Sequence, residues 1–440
     1  MSSHDPRSYD VAIVGASLAG CTAAILLARE GARVALIERH AQPDAFKRLC
    51  THYIQASAFP VIQRLGLAPL IERAGGVRNG AEIHTPFGWV GHHVSPQDMQ
   101  AAPHGYNIRR ERLDPMLRQL AVATPGVTLM SGVTVKALVE AGGVKGARIA
   151  GVHVRSTTSE SVLTARLVVA ADGRHSEVAA LAGIASKQAP NLRHGMLAVM
   201  RHVDLQRGGT SQMWMTGPEV AYVFPNEDGL SVVAWMAPRQ VLADLDRDAA
   251  LDALKARLAT LPDAPGLQRA ELVDKPMIVK DFPCMWRPPV ARGMALVGDA
   301  ATSLDYLQGV GCGWALQSAQ WLADAVSSSL RPGSTDAQLD AGLQRYATQH
   351  RRAIAPQRFF INDFAGRLDF NPVERLLYAA AARDADLARR MARVGARIDT
   401  PLALMRPSVL AKAVWLNLAR RGAGWDSRGP VVASMAREAA

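Results

Sequence analysis

Residues Tyr9 to Glu38 read Y-D-V-A-I-V-G-A-S-L-A-G-C-T-A-A-I-L-L-A-R-E-G-A-R-V-A-L-I-E. Val11 to Val14 is an apolar run of the kind buried in a parallel sheet. Gly15, Ser17 and Gly20 follow, where a dinucleotide fingerprint places its three small residues. Ala23, Ala24, Leu26, Leu27 and Ala28 favour a helix, Gly31 stops it, and Arg33 to Ile37 make a second apolar strand ending in Glu38. The pattern predicts a βαβ unit. Gly15 allows the tight turn, Ser17 keeps the approach to a pyrophosphate narrow but open, and Gly20 packs helix on strand. Glu38 can accept from ribose hydroxyls and would repel a ribose phosphate. The alternative is an ordinary β-α-β turn that binds nothing. Strand, small triplet, helix, strand and terminal acid within about 30 residues favour a dinucleotide.

The 440 residues suffice for two or three structural units. Hydrophobic residues at 49% and charged ones at 20% describe a globular protein with ample core. Met1 to Arg7 is polar and unlike a signal peptide, and no apolar run reaches bilayer length. Cys21, Cys50, Cys284 and Cys312 are scattered without a C-x-x-C pair, so neither a disulfide framework nor a metal site is expected, and the cytoplasm is the expected compartment. Net charge is +11, and +9 of it lies in residues 341–440, with 17 Lys and Arg against 8 Asp and Glu. Aromatics do not interleave with that charge and no nucleic-acid motif appears, so no nucleic-acid partner is expected. Solvated helix faces are favoured over peripheral contact with a membrane.

Further along, Val61 to Leu70 suggests a helix, and Ala81 to Val94 suggests strands turning at Phe87-Gly88. Asn107 to Ala123 is helical by its apolar spacing. Val127 to Val139, Ala147 to Ser156, Ser161 to Leu163 and Arg166 to Ala171 look like strands. From Arg193 to Ala237 the period changes to alternation broken by Gly and Pro, which suits an antiparallel sheet in its own layer. Asp244 to Leu261 is an amphipathic helix, Met294 to Val297 a buried strand, and Gly313 to Leu330 a long helix. The remainder is helical, interrupted at Pro372, Pro401 and Pro407.

Three further segments carry chemistry. In I-R-R-E-R-L-D-P-M-L-R, Arg110 at a helix start can reach phosphates through a charge-assisted fork. In V-V-A-A-D-G-R-H-S-E-V, a strand ends at Asp172-Gly173. In A-L-V-G-D-A-A-T-S-L-D-Y-L-Q-G-V-G-C-G-W, a strand delivers Asp299, whose carboxylate can hold ribityl hydroxyls. A loop of Gly309, Val310 and Gly311 then offers backbone N–H groups at a helix start.

The βαβ unit, the Asp-Gly segment and the Gly-Asp segment, in this order and at these separations, resemble the p-hydroxybenzoate hydroxylase-like class of FAD-dependent monooxygenases. That superfamily also holds geranylgeranyl reductases and flavin-dependent halogenases. The resemblance covers about residues 9–330. It implies an α/β fold: a Rossmann-like FAD-binding domain (1–75, 105–185 and 275–330), an antiparallel β-sheet substrate domain (76–104 and 186–274) and a C-terminal helical region (331–440). It implies that Gly15, Ser17 and Gly20 bind the pyrophosphate, Glu38 the adenosine ribose, Arg110 the cofactor chain and Asp299 the ribityl region. Gly309, Val310 and Gly311 would approach the flavin, and Asp172 and Gly173 match a motif linked to both FAD and NAD(P)H. Ala179 stands where the class usually has an arginine. Tyr306 follows Asp305 where it usually has a proline, which leaves Tyr306 free to face flavin or substrate.

The function implied is a monooxygenase that hydroxylates or epoxidises an aromatic or polyketide-like molecule through a C4a-peroxyflavin. O₂ and NAD(P)H are its co-substrates, with a separate flavin reductase as a second electron route. K-R-L-C-T-H-Y-I-Q-A-S-A at residues 47–58 resembles the reductase branch and keeps isoprenoid C=C reduction as an alternative. A non-catalytic FAD-binding module is another. A flavin-dependent halogenase is a further alternative, lowered by the absence of the signature G-W-x-W-x-I-P, and a G-x-S-x-G elbow is absent too. His52 is a candidate general base, against a structural role, and Tyr306 is the second catalytic candidate. Trp214, Tyr222, Phe224 and Trp235 could line a substrate pocket or form a sheet core. Of His92 and His93 at most one can face a pocket. Cys50 and Cys312 could lie near the ring or simply pack.

Overall fold

A computed structural model of the chain describes residues 7–91, 104–207, 211–245 and 247–419. His92 and His93 lie outside them. Among the described residues the first sheet has eight strands, of which five are parallel, in spatial order Val127–Ser131, Val34–Glu38, Ser8–Val14, Glu160–Ala170 and Met294–Leu296, while Ile149–Arg155 and Thr134–Glu140 extend Glu160–Ala170 antiparallel. Val290–Ala291 adds an antiparallel edge. Val34–Glu38 is buried along its whole length, as a strand covered on both faces must be. The Leu18–Arg29 helix is buried from Leu18 to Ala28 because it lies between this sheet and two other helices, Arg110–Val122 and Gly311–Val326. Gly15, Glu38, Asp172 and Asp299 all stand at or just beyond the C-terminal ends of parallel strands, where open α/β sheets bind their ligands.

The second large sheet is mainly antiparallel. Its order is Glu271–Leu272, Arg193–Arg201, Leu230–Pro238, Val220–Pro225, Ser211–Met215, Ala81–Thr85 and Gly88–Val90. Met277–Val279 also pairs with Arg193–Arg201, so this sheet runs past the boundary expected at 275. Both of its faces are buried. One lies under the Arg247–Ala259 helix and the other packs on Tyr53, Leu307, Phe364 and Phe370.

Several expected elements differ in extent. Val127 to Val139 is two strands, because Gly132 turns the chain with φ of 71°. Ser161 to Leu163 and Arg166 to Ala171 are one long strand whose two halves serve different neighbours. The helix expected from Asn107 begins at Arg110, since Gly105–Asn107 pairs with Tyr53–Ile54 and Val77–Asn79. Val61 to Leu70 splits into Phe59–Leu65 and Ala68–Arg73 at Gly66, whose φ is 73°. Pro372, Pro401 and Pro407 each begin a helical element rather than merely interrupting one, as suits a residue without an N–H.

The C-terminal region opens with a 30-residue helix, Asp336–Ala365, closed at its start by a Thr335–Gln338 capping box. Part of the basic excess there is paired internally: Arg367 with Asp363 and Glu374, Arg393 with Asp399, Lys412 with Asp384 and Asp386. Tyr346 on the long helix donates to the Leu296 carbonyl at 2.6 Å, fastening the helix to the first sheet. One turn on, His350 is buried against the Trp321 and Tyr346 rings with its Nε2 unpartnered. Burial lowers its pKa from 6.5 to about 4. The neutral ring therefore favours the folded state above pH ~6.5, and that contribution is lost as pH falls toward 4. At pH 4.5 the loss should reach roughly 2–3 kcal/mol. Urea midpoints of the wild type and His350→Gln at pH 7 and 4.5 check this. The wild type should lose more stability on acidification than the variant.

Candidate functional site

A cleft of about 660 Å³ opens along the strand ends. At one end, Gly15 turns with φ of 105°, and a Cβ there would lie 2.5 Å from the Ala171 carbonyl oxygen. Glu38 supports the same turn. Its Oε2 accepts from Ala16 N–H at 2.8 Å and its Oε1 from His40 N–H at 2.9 Å. Across the cleft, Arg110 grips Asp114 with two bonds of 2.7 and 2.9 Å and donates to Ser17 Oγ at 2.6 Å. The Lys47 N–H also reaches Asp114, at 3.0 Å. A buried fork thus ties the helix of Arg110 to the start of the helix after Gly15.

At the middle of the cleft, Asp172 accepts from Val178 N–H at 3.0 Å, while its Oδ1 is buried without a partner. Burial raises its pKa. Gly173 and Asp299 line the cleft beside it, and Lys47 Nζ bridges to Asp299 Oδ2 at 2.5 Å. Farther along, Gly309, Val310 and Gly311 lead into the Gly311–Val326 helix, Gly309 turning with φ of 59°. Ala179 is fully buried in an apolar cluster with Val178 and Ile184. The cleft volume suits a large organic ligand. Two helix starts for anions, an acid at the ribose position and the orphaned Asp172 oxygen fit FAD.

Of the expected residues, Gly15, Ser17, Glu38, Arg110, Asp172, Gly173, Asp299, Tyr306, Gly309, Val310 and Gly311 line this one cleft. Gly20 stands behind it, where a Cβ would lie 1.8 Å from the Gly15 carbonyl oxygen. Its part is close packing of helix on strand.

His52 is not among the lining residues. Its Nδ1 accepts from the Arg110 N–H at 2.9 Å, and burial lowers its pKa below the ordinary 6.5. The ring caps a helix start, and its acceptor is taken. The general-base reading of His52 is therefore replaced by a positioning one.

The four sheet aromatics divide by face. Trp214, Ala221 and Trp235 are register partners across three strands, and both indoles pack beneath the Arg247–Ala259 helix. Trp214 donates to the Pro262 carbonyl and Trp235 to Glu219. They point away from the cleft, which removes them as substrate contacts. Tyr222 and Phe224 lie on the opposite face, stacked with centroids 4.2 Å apart, in a cluster with Tyr53, Leu307 and Tyr306. They back the cleft rather than line it. The Tyr222 hydroxyl is buried without a partner. Tyr306 packs edge-on against Phe282, and a Cβ on Gly195 would lie 1.9 Å from its hydroxyl. Gly195 thus makes the space that Tyr306 fills.

Sequence reasoning missed four contributors. Lys47 and Arg174 line the cleft, and Arg174 lies 3.9 Å over the Phe282 ring while donating to Ser303. Arg118 donates to the Ala16, Pro43 and Ala45 carbonyls, and Asp114 is the partner of Arg110. The i, i+4, i+8 spacing of Arg110, Asp114 and Arg118 was a usable signal, since it puts all three on one helix face.

A family model described as FAD binding domain matches residues 8–357. The chain is 26% identical over 363 residues to 6-methylpretetramide 4-monooxygenase of Streptomyces rimosus, covering 80% of this chain and 84% of that protein. It is 25% identical to digeranylgeranylglycerophospholipid reductase 2 of Methanopyrus kandleri, covering 84% and 92%. Among solved structures, a flavoprotein/dehydrogenase from Cytophaga hutchinsonii superposes with a TM-score of 0.74 at 15% identity, over 94% of this chain and 100% of that one.

Proposed function

The chain belongs to the FAD binding domain family and is an FAD-dependent oxidoreductase, and from that premise we propose its reaction. It is a monooxygenase that hydroxylates or epoxidises an aromatic or polyketide-like small molecule, with O₂ and NAD(P)H as co-substrates. One observation carries this reading. The Gly309–Gly311 end of the cleft is walled by Tyr306 packed edge-on against Phe282, both of which line the cleft. An aromatic wall of this kind suits a planar ring system. The relative from Streptomyces rimosus is named for oxygenation of a pretetramide.

Bound FAD supplies the hydride and oxygen chemistry. The chain's residues hold and orient. Ser17 and the start of the Leu18–Arg29 helix meet the pyrophosphate, with Arg110 beside them. Glu38 would take the ribose and Asp299 the ribityl chain. Lys47 lines the cleft beside Asp299 and would add positive charge toward a phosphate. The N–H groups from Gly309 to Gly311 would stabilise negative charge at the ring end. Burial and the Asp305 carboxyl hold the Tyr306 hydroxyl protonated, so toward a substrate oxygen it can only donate. The aromatic backing keeps water from that end.

Isoprenoid C=C reduction is the second reading, supported by the segment around Cys50 and by the Methanopyrus relative. Oxygen separates the two. With a panel of polycyclic phenols and polyprenyl lipids, substrate-dependent NAD(P)H oxidation should consume O₂ and insert one oxygen atom. Equal turnover under strict anoxia, with a C=C bond saturated, transfers the protein to the reductases. Ala179 occupies the arginine position of the class, so electrons delivered by a separate reductase are the fallback route if NAD(P)H alone does not bleach the flavin.

A further inference from the structure

Cys50 and Cys312 are 262 residues apart in sequence, yet their Sγ atoms lie 3.4 Å apart on the wall of the cofactor cleft. Each comes from a different wall. Cys50 belongs to the segment that carries Lys47, and Cys312 to the first turn of the Gly311–Val326 helix. The pair is set in a cationic surround. Arg110 Nη1 is 3.9 Å from Cys312 Sγ, and the His52 N–H points at Cys50 Sγ from 3.2 Å. The hydrogen bond between the thiols outweighs burial and holds Cys50 well below the usual thiol range, with Arg110 and Lys47 adding to the effect, while it holds Cys312 above that range. One sulfur is thus a ready nucleophile and the other a protonated neighbour, the arrangement of an attacking and a resolving cysteine. At Cys21 and Cys284 burial outweighs the nearby arginines and raises both thiols. Both are buried, and burial pushes Cys284 up to about 12.

We infer that Cys50 and Cys312 form a peroxide-reactive dithiol that closes to a disulfide across the cofactor cleft. Hydrogen peroxide is what an oxygen-using flavoenzyme releases when reduction outruns its substrate. The Cys50 thiolate attacks one peroxide oxygen. An S–O bond forms, the O–O bond breaks, and the departing hydroxide takes a proton as water. Cys312 sulfur then attacks Cys50 sulfur. The S–S bond forms, the S–O bond breaks, and the hydroxide leaves with the Cys312 proton as a second water. Two thiols have lost two electrons and one peroxide has become two waters. A movement of roughly 1.4 Å brings the sulfurs from their present separation to bonding distance. The bond ties the Lys47–Thr51 segment to the glycine-rich helix start, so bound FAD is held between linked walls. The inference stands on the thiols and is independent of which substrate is oxidised.

The test uses holoenzyme in oxygen-free buffer, titrated with hydrogen peroxide, alkylated and mapped by peptide mass. One equivalent of peroxide should remove two thiols and yield a Cys50–Cys312 linked peptide, reversible by dithiothreitol, while Cys21 and Cys284 stay alkylatable. Cys312→Ser should stop at a Cys50 sulfenic acid trapped by dimedone. FAD release from the linked wild type, followed by flavin fluorescence, should slow about tenfold or more. The wild-type mapping stands without the variant. Oxidation of Cys50 no faster than Cys284, or FAD release unchanged once the link has formed, overturns the proposal.

Discussion

Arg110→Met should weaken FAD binding by at least about 100-fold and lower the stability of the apoprotein by about 3–5 kcal/mol. The two losses have different origins. Arg110 is 3% exposed and Asp114 1%, and the fork between them uses both carboxylate oxygens. Removing the guanidinium leaves a buried carboxylate with the Lys47 N–H and the Ser17 hydroxyl, the latter at 3.5 Å, as its remaining donors. That uncompensated charge accounts for the stability. The affinity falls because Ser17 loses its fixed donor at the mouth of the pyrophosphate site. Arg110→Met combined with Asp114→Asn separates the effects. The double variant should recover most of the stability, because no buried charge is left alone, and should not recover FAD affinity. Thermal unfolding of the apoprotein and flavin fluorescence titration read the two quantities. An FAD dissociation constant within threefold of wild type in Arg110→Met would remove this residue from the cofactor site.

Gly20→Ala should yield protein without bound flavin, destabilised by roughly 3 kcal/mol or more. The added methyl would lie 1.8 Å from the Gly15 carbonyl oxygen and 3.3 Å from the Ala171 Cβ. The first obstacle is backbone in the tight turn itself, so relief requires the Leu18–Arg29 helix to lift from the sheet. That helix is buried over eleven consecutive residues, Leu18 to Ala28, and cannot lift without opening the core around it. Gly31→Ala is the matched control. Gly31 also lies in the βαβ unit, with φ of 96°, but nothing stands within 4 Å of its added carbon. It should lose about 1–2 kcal/mol from backbone strain and keep its FAD. Flavin content of the purified proteins and denaturant midpoints distinguish them. Full flavin occupancy in Gly20→Ala would show that the turn does not depend on this close approach.

The parts of the site legible in the sequence were those written in contiguous stretches. Gly15, Ser17, Gly20 and Glu38 were readable because one βαβ unit carries strand, turn, helix and acid together. Asp172 and Asp299 were readable because each follows an apolar strand. The sheet aromatics were not, because both faces of that sheet are buried. Trp214 and Tyr222 sit on adjacent strands but in neighbouring rows of the pleat, one register step apart. Which row faces the cleft is settled by the Arg247–Ala259 helix choosing the other side. His52 was misread for a similar reason. Its partner is a backbone N–H 58 positions away, a pairing that no local pattern reveals. The Lys47–Asp299 and Cys50–Cys312 pairs depend on chain segments that meet only in the finished fold.

The Asp336–Ala365 helix bears on how ligands come and go. At its 30 residues it is about 45 Å long. Its first half is fastened to the parallel sheet through Tyr346. Its last turn takes hydrogen bonds from Leu192 N–H at 2.9 Å and from Arg193 Nη1 at 3.1 Å, at the edge of the antiparallel sheet. A single rigid strut therefore spans both layers, and a hinge that parted them would have to break one of its ends. The segment between Glu38 and Tyr53 carries no regular structure, and its Lys47 reaches across the opening to Asp299. Ligand exchange is therefore expected to depend on that one latch rather than on a swing of domains, and faster FAD release from Lys47→Met than from wild type would check it.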